Sequence, residues 1–143
     1  MAERDISFFL AGHAKPVEEE EVIVSKRYLD KEGKVIPFIM KPMKTEDIEE
    51  LEKSCMKPVM KNGKKVGERL DTSRFYARMA IESTVFPDFK SEEMRNSYKT
   101  EDPVEVAKRV LSIGGEYSAW IEAAVRINGF DDEFDDLVEE AKN

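Results

Sequence analysis

The side chains best suited to covalent chemistry are one cysteine, Cys55, and one histidine, His13. A thiol and an imidazole that are distant in sequence can still meet in space and form a nucleophilic pair. Neither residue has a local catalytic signature, and neither has the second cysteine or histidine that a zinc site requires. An enzyme that uses Cys55 with His13 therefore stays as an alternative, while the favoured role of Cys55 is that of a small apolar residue on a helix.

Cofactor-binding loops and isolated carboxylate pairs are also missing from the sequence. The glycines at 63–67 and 114–115 match neither GxxxxGK[ST] nor GxGxxG in a strand-to-helix setting. The acidic residues come as the runs 18–21 and 131–136, and such runs are normally solvated, whereas a raised carboxyl pKa requires burial. The sequence therefore predicts no catalytic residues, no cofactor and no metal site.

Charge is distributed unevenly along the chain. Between Lys53 and Arg69 six basic residues oppose only Glu68. This segment is the basis of a second alternative, a nucleic-acid-binding regulator, but no aromatic residue is interleaved with its lysines. The net charge of −8 also opposes general affinity for nucleic acid or anionic membranes. A protein partner, or another copy of the chain, suits the segment better, and the predicted contacts are Lys57, Lys61, Lys64 and Lys65.

The C-terminal segment has the opposite charge. Residues 131–143 contain seven acids and one basic residue, Lys142. Apolar residues recur there at i, i+3, i+4 and i+7, which predicts an amphipathic helix with a narrow apolar stripe. The stripe consists of Phe134, Leu137, Val138 and Ala141. We expect it to bind a client protein or another copy, and packing within the chain remains the alternative.

Two helices near the C-terminus are predicted to form the centre of the fold. The first begins at Asp102 and Pro103, which suit an N-cap and the first helical position. The second contains Trp120, the only tryptophan, which we expect to be largely buried, and it ends at Gly129. Between them, Gly114-Gly115 is predicted to stop the first helix, with a positive φ at one of the two glycines.

The N-terminal half favours strands and turns. Residues 21–29 and 34–42 are rich in β-branched and aromatic side chains and flank a turn. Pro37 predicts an edge position or a bulge in the second of these strands. Thr45 is expected to cap a helix, and a second hairpin is expected around Asn62-Gly63, a dipeptide typical of tight hairpin turns.

The remaining segments complete a predicted α+β fold. A helix capped within residues 71–73 is expected to run to near Pro87, and a short helix is expected from Ser91. We predict a flexible segment at 1–21 and a single domain at 22–143, in which residues 22–70 are hairpin-rich and residues 71–143 are helical. The apolar side chains Ile6, Phe8, Phe9 and Leu10 are expected either to pack on the chain's own core or to reach a neighbouring subunit. The lone cysteine and the lack of an apolar run of membrane-spanning length predict a cytoplasmic protein.

Several of these segments together resemble the XkdN-like phage tail assembly chaperone family. The similar stretches, between Val22 and Phe130, are VIVSKRYLDKEGKVIPFIMKPMKTEDIEELEKSC, then SEEMRNSY and DPVEVAKRVLSIGGEYSAWIEAAVRINGF. They share with the family a strand–turn–strand–helix opening, a Pro-started helix, a Gly-Glu-Tyr joint and an Ile-Asn-Gly-Phe helix end. These motifs mark the ends of structural elements and include no catalytic signature.

The resemblance implies a function without catalysis, in the cytoplasm of a bacterium that carries a phage or prophage. Chaperones of this family are thought to coat the tape measure protein, to bring tail tube subunits to it and to be absent from the finished virion. Related tails produce a longer form by a programmed frameshift. The resemblance thus implies the tape measure protein and the tail tube protein as partners, while the charged segments leave a homo-oligomer as a further possibility.

Overall fold

Residues 4–130, which the computed structural model describes, contain six helices and five antiparallel strands. The helices are a 3-10 helix (Ile6–Phe9), α1 (Thr45–Ser54), α2 (Thr72–Ser83), α3 (Glu92–Ser97), α4 (Pro103–Val110) and α5 (Gly114–Ile127). The strands are β1 (Glu20–Val22), β2 (Phe38–Met40), β3 (Met56–Lys61), β4 (Lys64–Leu70) and β5 (Thr84–Phe86). This is the α+β fold that the sequence predicts.

The first sheet has the order β1-β2-β5, and both strand pairs are antiparallel. The two strands are shorter than predicted. In the connection between β1 and β2, the pairing continues as an isolated bridge between Leu29 and Val35. Because β2 is central, its predicted edge position is wrong. Pro37 precedes the strand, and the irregular register lies at Ile39 and Met40 instead.

Strand β5 occupies a stretch that the sequence assigns to the end of a helix. Helix α2 ends at Ser83 and not near Pro87, because Thr84 takes an extended conformation with φ −97° and ψ 111°. The β-branched and aromatic residues that follow suit a strand. The Thr84 hydroxyl donates to the Ala80 carbonyl (2.7 Å) and accepts from Trp120 Nε1 (2.9 Å), which fixes the change of direction against the core.

The second sheet is the β3–β4 hairpin, and its turn is the one predicted. Asn62 and Gly63 have φ values of 54° and 78°, as the favoured two-residue hairpin turn requires. The register pairs Val59 with Gly67 and Met60 with Lys65, which leaves Val66 as an extra residue in β4.

The joint between α4 and α5 differs from the prediction. Gly114 and Gly115 begin α5, and neither has a positive φ. Helix α4 already ends at Val110, and residues 111–113 form the joint without a left-handed glycine. A left-handed glycine lies instead at the far end of α5, where Gly129 has φ +81° and the Phe130 amide donates to the Val125 carbonyl (2.9 Å). This bond is that of the predicted glycine-terminated helix end.

Replacing Gly129 or Gly115 with alanine should therefore change the free energy of unfolding in opposite directions. Gly129→Ala should lower the free energy of unfolding by about 1–2 kcal/mol, because a Cβ is disfavoured in left-handed backbone. Gly115→Ala should raise it by about 0.4–1 kcal/mol, because alanine restricts the unfolded chain. An added Cβ would meet no atom within 4 Å at either position, so urea unfolding of the two variants compares backbone conformation alone. Equal effects would contradict the assigned conformations.

The apolar interior consists of two clusters on either side of α2. The main core contains Val24, Phe38, Met40, Ala77, Ala80, Ile81, Phe89, Val104, Val106, Ala107, Val110, Leu111, Trp120, Ala123 and Ala124. The minor core contains Leu51, Cys55, Phe75 and Met79, with Met43, Ile48, Leu70, Tyr76 and Phe130 packed against it. Trp120 is fully buried, as predicted, and its ring lies 5.4 Å from that of Phe89, centroid to centroid. The minor core supports the base of the β3–β4 hairpin through Leu70.

Candidate interaction surface

The β3–β4 hairpin is exposed along its length. No residue of either strand is buried, and only Lys57, Val59 and Leu70 are half-buried. A two-stranded hairpin gains little stability by itself in water. The minor core beneath Leu70 therefore anchors a hairpin whose faces are open to a partner.

The four lysines predicted as protein contacts all lie on this hairpin. Lys57 Nζ is 3.9 Å from an Asp71 carboxylate oxygen, and Lys65 Nζ is 2.8 Å from Glu68. Lys61 and Lys64 are directly paired next to the turn. Like charges directly opposite each other are destabilising, so the end of the hairpin favours an anionic group.

Apolar side chains accompany this charge. Because side chains alternate along a strand, Met56, Pro58 and Met60 share one face of β3. Met60 is 56% exposed, and the extra β4 residue Val66 is 60% exposed. The hairpin therefore presents both apolar contact area and positive charge.

A second exposed apolar group lies at the N-terminal end of the described residues. Ile6, Phe8, Phe9 and Leu10 are all exposed, and Phe9 retains 86% of its accessible surface. The Asp5 carboxylate caps the 3-10 helix by accepting from the Ser7 amide (2.9 Å). The expectation that these side chains pack on the chain's own core is wrong, and the alternative, that they reach a neighbouring subunit, stays a prediction.

The predicted C-terminal stripe of Phe134, Leu137, Val138 and Ala141 lies outside the described residues. The position from which this segment leaves is known. Phe130, the last described residue, packs on the minor core, as does Leu70 at the end of β4.

A polar cluster that the sequence analysis missed joins the two halves of the fold. The Glu116 carboxylate accepts from Arg27 Nε (2.9 Å), Arg27 Nη2 (2.5 Å) and the Ser25 hydroxyl (2.5 Å). Arg27 Nη2 also donates to the Val110 carbonyl (3.2 Å). The hydrogen bonds from Arg27 and Ser25 lower the pKa of Glu116 to about 2. Glu116 was the signal available in the sequence, because an acidic residue is favoured in the first turn of a helix. Its position fits a helix that begins at Gly114.

This cluster predicts an acid-sensitive contribution to stability. The Glu116 pKa lies below its ordinary value of 4.5, so the ionised carboxylate stabilises the fold above pH 4.5, and this contribution is lost as the pH falls towards 2. Glu116→Gln should be less stable than the parent at neutral pH, and the difference should narrow between pH 4.5 and 2. Urea unfolding across this range measures it. A difference that does not vary with pH would contradict the assigned pKa.

Cys55 and His13, the two residues considered for catalysis, differ in their exposure to solvent. Cys55 is 4% exposed within the minor core, whereas His13 is exposed between the 3-10 helix and β1. A nucleophilic thiol needs access to its substrate. An open groove of about 870 Å³ runs along Lys41–Asp47 beside Arg78 and Glu82, and neither Cys55 nor His13 lines it.

Among residues 4–130, no group of three or more histidine, cysteine, aspartate or glutamate side chains is arranged to hold a metal ion. In the same range, no helix has the length and apolar character needed to cross a membrane.

Open apolar and basic surfaces on a small α+β fold are typical of a protein that acts by binding other proteins. Comparison with known families identifies the class. The profile of the phage XkdN-like tail assembly chaperone proteins matches residues 6–142, and the chain belongs to this family. The match confirms the resemblance seen in the sequence. It also extends beyond residues 22–130, to the N-terminal apolar segment and most of the acidic C-terminal segment.

Individual relatives agree with this assignment. The chain is 57% identical over 141 residues to "Phage-like element PBSX protein XkdN" of Bacillus subtilis strain 168, with 97% of this chain and 94% of the relative covered. It is also 57% identical over 139 residues to "Uncharacterized protein YqbN" of the same strain, with 97% and 93% covered. The crystal structure of YqbN superposes with a TM-score of 0.78 at 53% identity and covers 91% of this chain and all of that one.

Proposed function

We propose that this protein binds the phage tape measure protein during tail assembly and helps to recruit tail tube subunits to it. The observation that carries the proposal is the exposure of Ile6, Phe8, Phe9 and Leu10 in a chain of the tail assembly chaperone family. Contiguous apolar side chains left open to water favour a protein contact. The tape measure protein, a long helical chain with apolar stripes, would aggregate if it were left bare.

The hairpin lysines supply the second part of the proposed surface. Lys57, Lys61, Lys64 and Lys65 lie on one exposed element, where they can pair with acidic side chains that flank an apolar stripe. Rim charges of this kind act mainly on the association rate and on specificity. The C-terminal stripe remains a predicted contact for a client or for another copy. On this account the protein acts in the host cytoplasm without catalysis.

Binding to the tape measure protein encoded in the same tail gene cluster tests the proposal. The two proteins are co-expressed, and the tagged chaperone is captured. We expect the parent to retain the tape measure protein, and we expect Phe8→Ser with Phe9→Ser to lose it. Both side chains are exposed, so the double variant should keep the melting temperature of the parent.

Matched controls separate a binding surface from general stickiness. Ile113 is 53% exposed, so Ile113→Ser removes a comparable apolar side chain at the α4–α5 joint and should leave capture unchanged. Lys61→Glu with Lys64→Glu should weaken capture, whereas Lys31→Glu with Lys34→Glu at the first turn should not. Equal capture by the parent and by every variant would refute the proposed surface. Failure of the parent to capture the tape measure protein would refute the proposed function.

A further inference from the structure

The two faces of the β3–β4 hairpin differ in charge. Side chains alternate between the faces along a strand, and residues paired across the strands share a face. Glu68, the one acid of the hairpin, pairs with Pro58 and forms its ion pair with Lys65, so both charges lie on the apolar face. The opposite face, here called the basic face, carries four positive charges and no carboxylate. It consists of Lys57, Val59, Lys61, Lys64, Gly67 and Arg69.

The basic face is open for contact. Lys61, Lys64 and Arg69 are exposed, and none of the three forms an ion pair with another described residue. In the middle of the face Val59 lies opposite Gly67, which adds no side chain. The basic face therefore has positive charge at both ends and a shallow, uncharged centre.

The first sheet has an exposed face of different composition. Glu21 pairs with Ile39, and Ile39 pairs with Phe86, so the three side chains form one row across the sheet. This row points away from the main core, because the β2 residues on either side of Ile39 are buried in that core. Ile23 lies on the same side, two residues after Glu21, and is 61% exposed. We call the surface formed by Glu21, Ile23, Ile39 and Phe86 the outer face.

The acids beside the outer face have few partners of their own. Glu18, Glu19 and Glu21 are exposed and form no ion pair with another described residue, whereas Glu20 is 3.1 Å from Arg126. The outer face thus combines free carboxylates with apolar surface, and this composition complements the basic face. Since both faces are exposed in the same chain, they do not cover each other within it.

We propose that the basic face of the hairpin packs on the outer face of a second copy of this chain. The free carboxylates then lie beside Lys61 and Lys64, and Ile23 lies over the uncharged centre formed by Val59 and Gly67. Each copy supplies both faces, so a two-fold symmetric pair contains the contact twice. The contact requires no client, and a client that engages these lysines replaces the second copy there.

Two charge-reversed variants test this contact with the protein alone. Lys61→Glu with Lys64→Glu reverses the basic face, and Glu19→Lys with Glu21→Lys reverses the acids of the outer face. The molar mass is measured by light scattering after gel filtration. We expect the mass of the parent to rise with concentration from that of one chain to that of two. Each variant alone should keep the mass of one chain, and an equal mixture of the two should regain the pair.

The mixture separates a specific contact from general attraction. Both variants remain net negative, so net charge opposes their association and cannot cause the regained pair. Lys31→Glu with Lys34→Glu, and Glu49→Lys with Glu52→Lys, reverse exposed charges elsewhere and should associate like the parent. A parent that stays a single chain at every concentration, or a mixture of the two variants that does so, would overturn the proposal.

A serine substitution tests the apolar part of the contact. Ile23→Ser should weaken self-association about tenfold, because it removes an aliphatic side chain that the contact buries. Ile113→Ser is the matched control, since Ile113 is 53% exposed and lies on neither face. Equal dissociation constants for the two variants would contradict the proposed contact.

Carbodiimide cross-linking identifies the residues that touch, because it joins lysines directly to neighbouring carboxylates. An equal mixture of unlabelled and ¹⁵N-labelled protein is cross-linked and analysed by mass spectrometry. We expect links from Lys61 and Lys64 to Glu19 and Glu21, with mixed-isotope pairs in the proportion of random exchange. Linked pairs of one isotope only would place the contact within a single chain and would overturn the proposal. Links from these lysines to acids outside 18–21 alone would do the same.

Discussion

Replacing Trp120 with alanine is expected to lower the free energy of unfolding by about 3–5 kcal/mol. The side chain is fully buried in the main core, where it contacts the rings of Phe89 and Tyr117. Its Nε1 group also donates to the Thr84 hydroxyl, so the variant removes both apolar contacts and a buried hydrogen bond. Since small domains are stable by about 5–15 kcal/mol, much of the fold's stability should be lost.

Urea unfolding, followed by circular dichroism, measures this loss. Phe9→Ala is the matched control, because it also removes an aromatic ring but from a side chain that is 86% exposed. The control should unfold at the urea concentration of the parent. A Trp120→Ala variant as stable as Phe9→Ala would show that the main core is not centred on α5.

The second large effect is expected at Met79. This side chain is fully buried in the minor core, and Met79→Ala should cost about 2–5 kcal/mol. Leu70 packs on the same cluster, so the variant should also loosen the base of the β3–β4 hairpin. Urea unfolding measures the loss of stability, and hydrogen exchange of the β3–β4 amides measures the loosening of the hairpin base.

Met60→Ala is the control for this substitution. It removes the same side chain from the exposed face of the hairpin and should change the free energy of unfolding little. Because α2 contributes residues to both cores, Met79→Ala and Trp120→Ala should each preserve a single unfolding transition. Two separate transitions in either variant would contradict cooperative packing about α2.

The parts of the fold that follow local rules could be predicted from the sequence. Asn62-Gly63 requires two positive φ values, and these place the turn of the second hairpin. Asp71 and Ser91 accept backbone hydrogen bonds at the starts of α2 and α3, as their side-chain chemistry favours. Burial of Trp120 followed from its position on the broad apolar side of a helix.

The misassigned parts depend on contacts between distant residues. Thr84 leaves α2 to pair with β2 and to receive the Trp120 hydrogen bond, and neither partner is near it in sequence. The Glu116 carboxylate meets Arg27 across a separation of 89 residues. Gly114-Gly115 was ambiguous, because glycine is accepted at both helix ends, and the structure uses the pair to begin α5.

The candidate surface could be predicted only in part from the sequence, because it too depends on contacts between distant residues. The lysines of the hairpin could be assigned to one element because the turn fixed their pairing. Exposure of Phe8 and Phe9 could not be predicted, since an apolar segment packs on its own core or stays open according to the tertiary structure. The packing of Phe130 on the minor core likewise depends on how α5 is placed.

The solubility of the tape measure protein in cells shows whether this protein acts on it as a chaperone. The tape measure protein from the same tail gene cluster is expressed with the chaperone, with its Phe8→Ser and Phe9→Ser double variant, or alone, and the soluble fraction is measured after centrifugation. We expect the parent to keep the tape measure protein soluble and to co-sediment with it in a gradient, whereas the double variant should behave like the empty control. A tape measure protein that is equally insoluble with and without the parent, and never co-sediments with it, would contradict the account.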